Sequence, residues 1–324
     1  MIVEPRLTGI TTPSSETLQT LLDMKYGRGQ QKPLREVYRN DAQRLISLQQ
    51  EEGFLLLSDG QRLWGDLLRP LYKGMTGVEE GSQTRWFESN GFCFPPRVVA
   101  LPQIGRVFLE DYLYTDLVAK NMEVSILGPY SMLSMMEKNS MVDFDFVADA
   151  FANRYFRFMS TLPKQISLVE FIEPALALKE NTKNEQAQRW EVAEYIYYTI
   201  SLFSRIDNII QLPPVDLSWL TEAKKFITKG YGLDLTENPC VEAWQVWEGK
   251  ILSLGILDAW SSAPQDLDYA EQRVRRALDE LHVNEKGVEK IYVTTNAQLY
   301  HTISHEPAMK KIKELGELAR RLSS

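Results

Sequence analysis

The feature that most constrains this chain is a rhythm of short apolar, β-branched segments separated by amphipathic stretches of helical length. The segments are Leu7–Thr12, Phe54–Gly60, Glu123–Pro129, Ile166–Pro174, Tyr197–Phe203, Val215–Leu220, Ile251–Ala259 and Lys290–Ala297. Most are near-continuous apolar runs, the pattern of parallel strands buried on both faces. Between them Leu34–Glu52, Val142–Met159, Glu185–Tyr195, Asp266–Leu281 and Pro307–Leu322 read as helices. Eight strands alternating with helices, closing on a helix, is the count of a single α/β (β/α)8 TIM barrel. Such barrels typically run to about 250 residues or more, so the 324 residues are expected to form one domain, 1–324. Residues 61–103 break the rhythm with Trp, Gly, Asn and Pro and no clear period. They are expected to form a long loop over the C-terminal face, where barrels place their active sites.

Composition narrows the partners. Thirty-six basic against 44 acidic residues leave a net charge of −8, which repels phosphate backbones and argues against nucleic acid as the main ligand. No run approaches the roughly 18 apolar residues of a membrane span, and no apolar leader follows Glu4 and Arg6. The two cysteines, Cys93 and Cys240, cannot build a disulfide framework. A soluble protein of the cytoplasm is expected.

In a barrel the residues at the strand ends carry the chemistry. The polar candidates are Thr11, Thr12, Ser58, Asp59, Glu170, Glu173, Thr199, Ser201, Asp216, Ser218, Asp258, Thr295 and Asn296. Asp59, Glu173 and Asp258 each end an apolar run, so they are expected to share a cavity and either bind an amino group or act as acid and base. The competing reading of each is a helix cap or the partner of a nearby arginine. Trp64, Trp86, Phe87, Phe92, Phe94 and Trp260 lie in or beside the mouth loops. They serve either to pin those loops or to stack against a flat heterocycle. His301 and His305 are the only close pair of zinc-type ligands, and the helix expected to open at Pro307 leaves them on a connecting loop. Zinc binding is therefore not expected. Dinucleotide, P-loop and serine-hydrolase motifs are absent.

Eight pieces carry a resemblance. They are LTGITTPSSE from Leu7, LQQEEGFLLLSDGQRLWGDLLRPL from Leu48, NGFCFPPRV from Asn90, SILGPY from Ser125, FIEPAL from Phe171, LPPVDLSWL from Leu212, LSLGILDAWSS from Leu252 and YVTTNAQLYH from Tyr292. Their order and spacing resemble cobalamin-independent methionine synthase over nearly the whole chain, within the superfamily of uroporphyrinogen decarboxylase. That resemblance implies a methyltransferase barrel of methionine biosynthesis. In the family a zinc module binds homocysteine, and a metal-free N-terminal module helps hold polyglutamyl methylfolate. Single-module archaeal relatives are thought to use a corrinoid donor.

Set against the zinc module, Tyr197 and Thr199 stand where the fifth strand carries ligands, Ala297 stands at the ligand cysteine and Trp260 near the seventh-strand histidine. Ile172 replaces the acid that grips the homocysteine amine, which leaves Glu173. The chain looks more like the metal-free module, with His301 on a matching histidine. The resemblance therefore implies Glu173 and Asp258 as catalytic, and Asp59, Trp64, Arg85, Asn90, Trp260, Asn296 and His301 as substrate-binding. It implies methylfolate or methylcobalamin as donor, homocysteine as acceptor, no tightly bound cofactor and a zinc-bearing paralogous barrel as partner. Two alternatives stand beside it. One is a non-catalytic ligand-binding or regulatory barrel. The other is a decarboxylase-like enzyme whose mouth arginines Arg28, Arg62, Arg69, Arg85 and Arg97 clamp carboxylates.

Overall fold

The computed structural model describes residues 2–87, 91–106, 109–138, 142–177, 183–203, 205–212, 226–236, 249–283, 287–301 and 304–324. The strands are β1 Val3–Pro5, β2 Thr76–Glu80, β3 Thr84–Arg85, β4 Phe92–Cys93, β5 Pro96–Gln103, β6 Met122–Leu127, β7 Glu137–Lys138, β8 Ile166–Ile172, β9 Asp207–Gln211, β10 Gly230–Asp234, β11 Ile251–Leu257 and β12 Lys290–Thr295. The α-helices are α1 Ser15–Lys25, α2 Leu34–Glu51, α3 Arg69–Tyr72, α4 Pro129–Met135, α5 Phe144–Ser160, α6 Lys183–Ser201, α7 Leu267–Glu280 and α8 His305–Ser323. Seven strands form one parallel sheet in the order β1-β12-β11-β10-β9-β8-β6. The sheet curls, because its two edges meet. The Arg6 guanidinium just after β1 reaches Glu123 on β6 at 2.8 Å, although β1 and β6 stand at opposite ends of the strand order. Leu57 makes a parallel bridge to Met122 at the β6 edge, and the Thr11 amide donates to Gly60 O at 3.0 Å.

Sequence periodicity placed several elements correctly and misplaced others. Glu123–Pro129, Ile166–Pro174, Ile251–Ala259 and Lys290–Ala297 coincide with β6, β8, β11 and β12. Leu7–Thr12 is not a strand; β1 lies earlier, and the apolar run is the buried loop that follows it. Phe54–Gly60 contributes only the Leu57 bridge. Tyr197–Phe203 lies almost wholly in α6: Ala193, Ile196, Tyr197 and Ile200 are buried while Tyr195 and Tyr198 are exposed, a helical period that aromatic and β-branched residues disguised. The strand there is β9. Val215–Leu220 lies outside the described residues, and β10, Gly230–Asp234, is not among the expected strands. Its glycines are steric requirements: a Cβ at Gly230 would lie 2.1 Å from Ile251 O, and one at Gly232 1.8 Å from Gln211 Oε1.

The described residues of 61–103 carry regular structure. They supply β2 and β5, which pair antiparallel, and the β3–β4 hairpin. Buried Arg154 on α5 holds the excursion in place by donating to the carbonyls of Leu71, Gly105, Pro70 and Lys73 at 2.7–3.1 Å.

Inside the curl, Leu56, Leu168, Ile209, Ile251 and Tyr292 form an apolar floor. Two residues further along β8, β9, β11 and β12 stand Glu170, Gln211, Ser253 and Thr294, which period-two alternation turns to the same face. This layer is polar. Arg6 is fully buried and bonds Glu123, Glu170 at 2.6 Å and the Ser253 hydroxyl at 2.9 Å. Ser125 donates to the other Glu170 oxygen at 2.6 Å, and Glu123 also accepts from the Leu7 amide. Burial pushes Glu123 up to about 7; the Arg6 charge opposes that shift, and Glu170, sharing the same guanidinium, adds to it. Replacing Arg6 by Met leaves two buried carboxylates without their cation, so the loss expected in urea unfolding is about 3–5 kcal/mol. Adding Glu123→Gln to that variant should recover part of it.

Candidate active site

Because the sheet is parallel, the C-terminal ends of its strands lie along one edge. Asp59, Glu173, Asp258 and Asn296 all sit there. Among the described residues, however, none of Asp59, Glu173 and Asp258 is hydrogen-bonded or ion-paired to another of the three.

Glu173 is fully buried and its acceptor sites are occupied. One oxygen accepts from the Tyr130 amide at 3.1 Å and the Tyr197 hydroxyl at 2.7 Å. The other accepts from the Ser131 amide at 2.8 Å and hydroxyl at 2.6 Å. Glu173 thereby serves the first turn of α4, and a Cβ at Gly128 would lie 2.1 Å from its carboxyl carbon. Tyr197 reaches it from α6 and not from a strand end, so the expected ligand comparison at Tyr197 and Thr199 falls on a helix. Burial raises the Glu173 pKa to about 7 against the lowering effect of its hydrogen bonds.

Asp59 accepts from the amides of Gln61 at 2.9 Å and Tyr114 at 2.8 Å, and burial raises its pKa. Asp258 accepts from the Trp260 amide at 2.8 Å, a local turn contact. Trp64 is 1% exposed and packs edge-on against Phe158 and Tyr112, so it serves the core. Arg85 is exposed on the β3–β4 hairpin and Trp260 is 41% exposed. His301 ends a 3-10 turn, and Asn90, Asp216, Ser218 and Cys240 lie outside the described residues. Four of the arginines that a carboxylate clamp needs are already ion-paired: Arg28 with Asp23, Arg62 with Asp41, Arg69 with Asp66 and Arg97 with Glu79.

Asn296 belongs to a constellation that the sequence did not reveal. Its Oδ1 accepts from the Ala259 amide at 2.9 Å, and its Nδ2 donates to the Thr236 hydroxyl at 3.0 Å. That hydroxyl and the Thr236 amide both donate to Asp234 Oδ1 at 2.6 Å. Asp234 is 3% exposed at the end of β10, two residues beyond Gly232, which registers with Gln211 on β9. Gln211 is also 3% exposed, and among the described residues its Oε1 has no hydrogen-bond partner. The Gly-x-Gly-x-Asp run of 230–234 was the available signal: small residues alternating toward a crowded interior, then an acid at the rim.

Beside this constellation the β3–β4 hairpin closes over the ends of β1 and β12. Ile10, Asp66, Trp86, Phe92, Gln298 and Tyr300 line a narrow cleft there.

The raised pKa of Glu173 makes a signed prediction. With a folded value of about 7 against an ordinary 4.5, its contribution to stability is full below pH 4.5 and is lost as pH rises through 7. Urea unfolding from pH 4.5 to 7 should show stability falling with pH, with up to about 3 kcal/mol attributable to this group. In Glu173→Gln the fall should be shallower; an unchanged slope would exclude Glu173 as its source.

No family model matches the sequence, and no curated protein resembles it. Solved structures do. A Listeria monocytogenes protein described as a vitamin-B12-independent methionine synthase is 13% identical, with a TM-score of 0.71 over 99% of both chains. A B12-independent methionine synthase from Shewanella sp. W3-18-1, in complex with selenomethionine, is 14% identical, with a TM-score of 0.73 over 99% of this chain and 98% of that one. A methyltransferase from Methanosarcina mazei is 11% identical, with a TM-score of 0.64 over 99% and 95%. At such identities the likeness is one of fold, and it agrees with the family resemblance read from the sequence. From end to end, this chain has the fold of the B12-independent methionine synthase structures.

Proposed function

We propose that the chain is a (β/α)8 barrel, with the segment around Leu57 as its eighth staves' position between β1 and β6, and that it works as a methyltransferase module of methionine biosynthesis. The observation that carries this reading is the full-length fold likeness to methionine synthase structures, together with the order of the sequence pieces that resemble them. The methyl group would pass from methylfolate or a methylcorrinoid toward homocysteine. Phe92 and Tyr300, exposed beside the hairpin, offer the aromatic faces against which a flat donor would stack.

Zinc does not fit the donors that stand at the described strand ends. Gln211, Asp234, Thr236 and Asn296 offer two amides, one carboxylate and one hydroxyl, and Ala297 offers no ligand atom; among the described residues no three His, Cys, Asp or Glu side chains converge. A homocysteine thiol, like a cysteine thiol of pKa about 8.5, needs a positive charge to become a thiolate at neutral pH. The reading therefore assigns thiol activation to a zinc-bearing paralogous barrel and donor binding to this chain. No described helix is long and apolar enough to cross a membrane.

Methyl transfer to homocysteine should be assayed with methyltetrahydrofolate triglutamate and with methylcobalamin, each with the chain alone and with a zinc-loaded barrel of the same fold. Turnover is expected only in the mixture, and elemental analysis of the purified chain should find far less than one zinc per molecule. Turnover by the chain alone with stoichiometric zinc would overturn the division of labour. Donor binding without turnover in any mixture would favour the non-catalytic alternative.

A further inference from the structure

We propose that the outward face of α6, with the adjoining end of α5, is a homodimer interface, on which a second copy of this chain packs about a two-fold axis with its α6 antiparallel. The proposal stands apart from the reaction assigned above. Because α6 joins the parallel neighbours β8 and β9, it runs back from the C-terminal strand ends, and its last turns lie at the end away from the mouth.

A helix that covers a sheet turns one stripe inward and ordinarily presents charge to water. α7 and α8 do so, and they pair those charges: Arg275 with Glu271, Arg276 with Glu280 and Arg321 with Glu317. α6 departs from that pattern. Its inner stripe of Ala193, Ile196, Tyr197 and Ile200 is buried, yet Tyr195, Tyr198 and Leu202 on the opposite side are each more than half exposed. Phe156 on α5 extends the patch: it is 44% exposed, and its ring centroid lies 5.3 Å from that of Phe203, the residue after Leu202. At about 150–250 Å² per large aromatic side chain, these four roughly half-exposed residues present on the order of 400 Å² of mainly apolar surface. That is about half of the ~800 Å² that each partner buries in a standard interface, and it is the share an apolar core takes when a polar rim surrounds it. The rim charges select the occupant. Glu191 lies seven residues before Tyr198, and Arg205 lies seven residues after it. Arg205 is held at the end of α5 by donating to Leu162 O at 3.3 Å, and exposed Arg157 stands in the last turn of α5. Among the described residues, none of Glu191, Arg157 and Arg205 is ion-paired. The face is therefore acidic at one end of an apolar centre and basic at the other. A two-fold axis through Tyr198, perpendicular to α6, lays Tyr198 on its own copy and sets Glu191 opposite Arg205 of the partner subunit, twice over. A chain of net charge −8 repels its own copies wherever the contact is not matched in this way.

The test is sedimentation equilibrium of the full chain over a concentration series reaching about 50 μM, a range that resolves micromolar dissociation constants. The mass should approach twice that of one chain. Tyr198→Glu, which puts two like charges on the axis, and Leu202→Glu should each raise the dissociation constant by about a hundredfold, since both copies carry the change at the centre of the interface. Glu191→Arg and Arg205→Glu should each weaken the dimer about tenfold, and the two together should restore it to within about threefold of the parent. All four positions are exposed, and circular dichroism of each variant confirms that it is folded. A single-chain mass throughout the series overturns the proposal. A dimer that Tyr198→Glu and Leu202→Glu leave intact overturns it too, because the copies then meet elsewhere. Failure of the paired charge reversal to restore association refutes the antiparallel arrangement. Capture of a monomeric chain by a zinc-loaded barrel of the same fold, abolished by Tyr198→Glu, would give this face to a different partner and likewise overturn the homodimer.

Discussion

The Arg6 guanidinium holds this structure together. It stands one residue past a three-residue strand and bonds β6, β8 and β11 across the inside of the curl. Apolar packing alone sets no register between non-neighbouring strands, whereas a planar fork of donors, each matched to an oxygen, tolerates little displacement. The sequence offers one cation to two carboxylates in this layer, and burial, with a smaller push from Glu170, keeps the Glu123 pKa raised. The arrangement is costly to break and only modestly stabilising to possess, because both partners were taken out of water to form it. Its effect is to fix geometry: with the layer set, the strand ends above it are set as well.

Above that layer the same chemistry is used in two ways. Glu173 and Asp59 are buried carboxylates at strand ends, and both are turned inward on the protein's own backbone. They order α4 and the loop that contains Tyr114. Gln211 is also buried, yet among the described residues its Oε1 is unmatched. Buried polar groups in folded proteins are nearly all satisfied, so an unmatched one at the end of a strand is informative where a saturated one is not. A carboxylate at a strand end therefore becomes functional or structural according to how many donors its neighbours supply, a quantity that depends on which helix starts beside it.

The excursion after Gly60 shows how the mouth is built. Among the described residues Arg154 has no carboxylate partner; it spends its donors on four carbonyls at the close of α3 and the return of β5, and burial lowers its pKa to about 10. This clasp seats the β3–β4 hairpin against Ile10 and Gln298. Of the aromatic residues expected at the mouth, Trp86 and Phe92 line the space beneath that hairpin, whereas Trp64 is consumed by the core.

The amino-acid sequence by itself determined the alternation of strand and helix, four of the strands to within a residue or two, the amphipathic helices α2, α5, α7 and α8, and the family likeness that the solved structures share. These are local properties: continuous apolar runs and 3.6-residue periods are legible without knowing what lies opposite. Tertiary structure decided that Tyr197 belongs to a helix, because the partners of Ala193, Ile196 and Ile200 lie across the core. It also decided that Gly230 and Gly232 belong to a strand, because the reason for each glycine is an atom on a neighbouring strand. And it decided how Glu173 is spent, because the donors that saturate it come from residues 42 and 43 positions before it and 24 after it, a distance over which no sequence pattern extends.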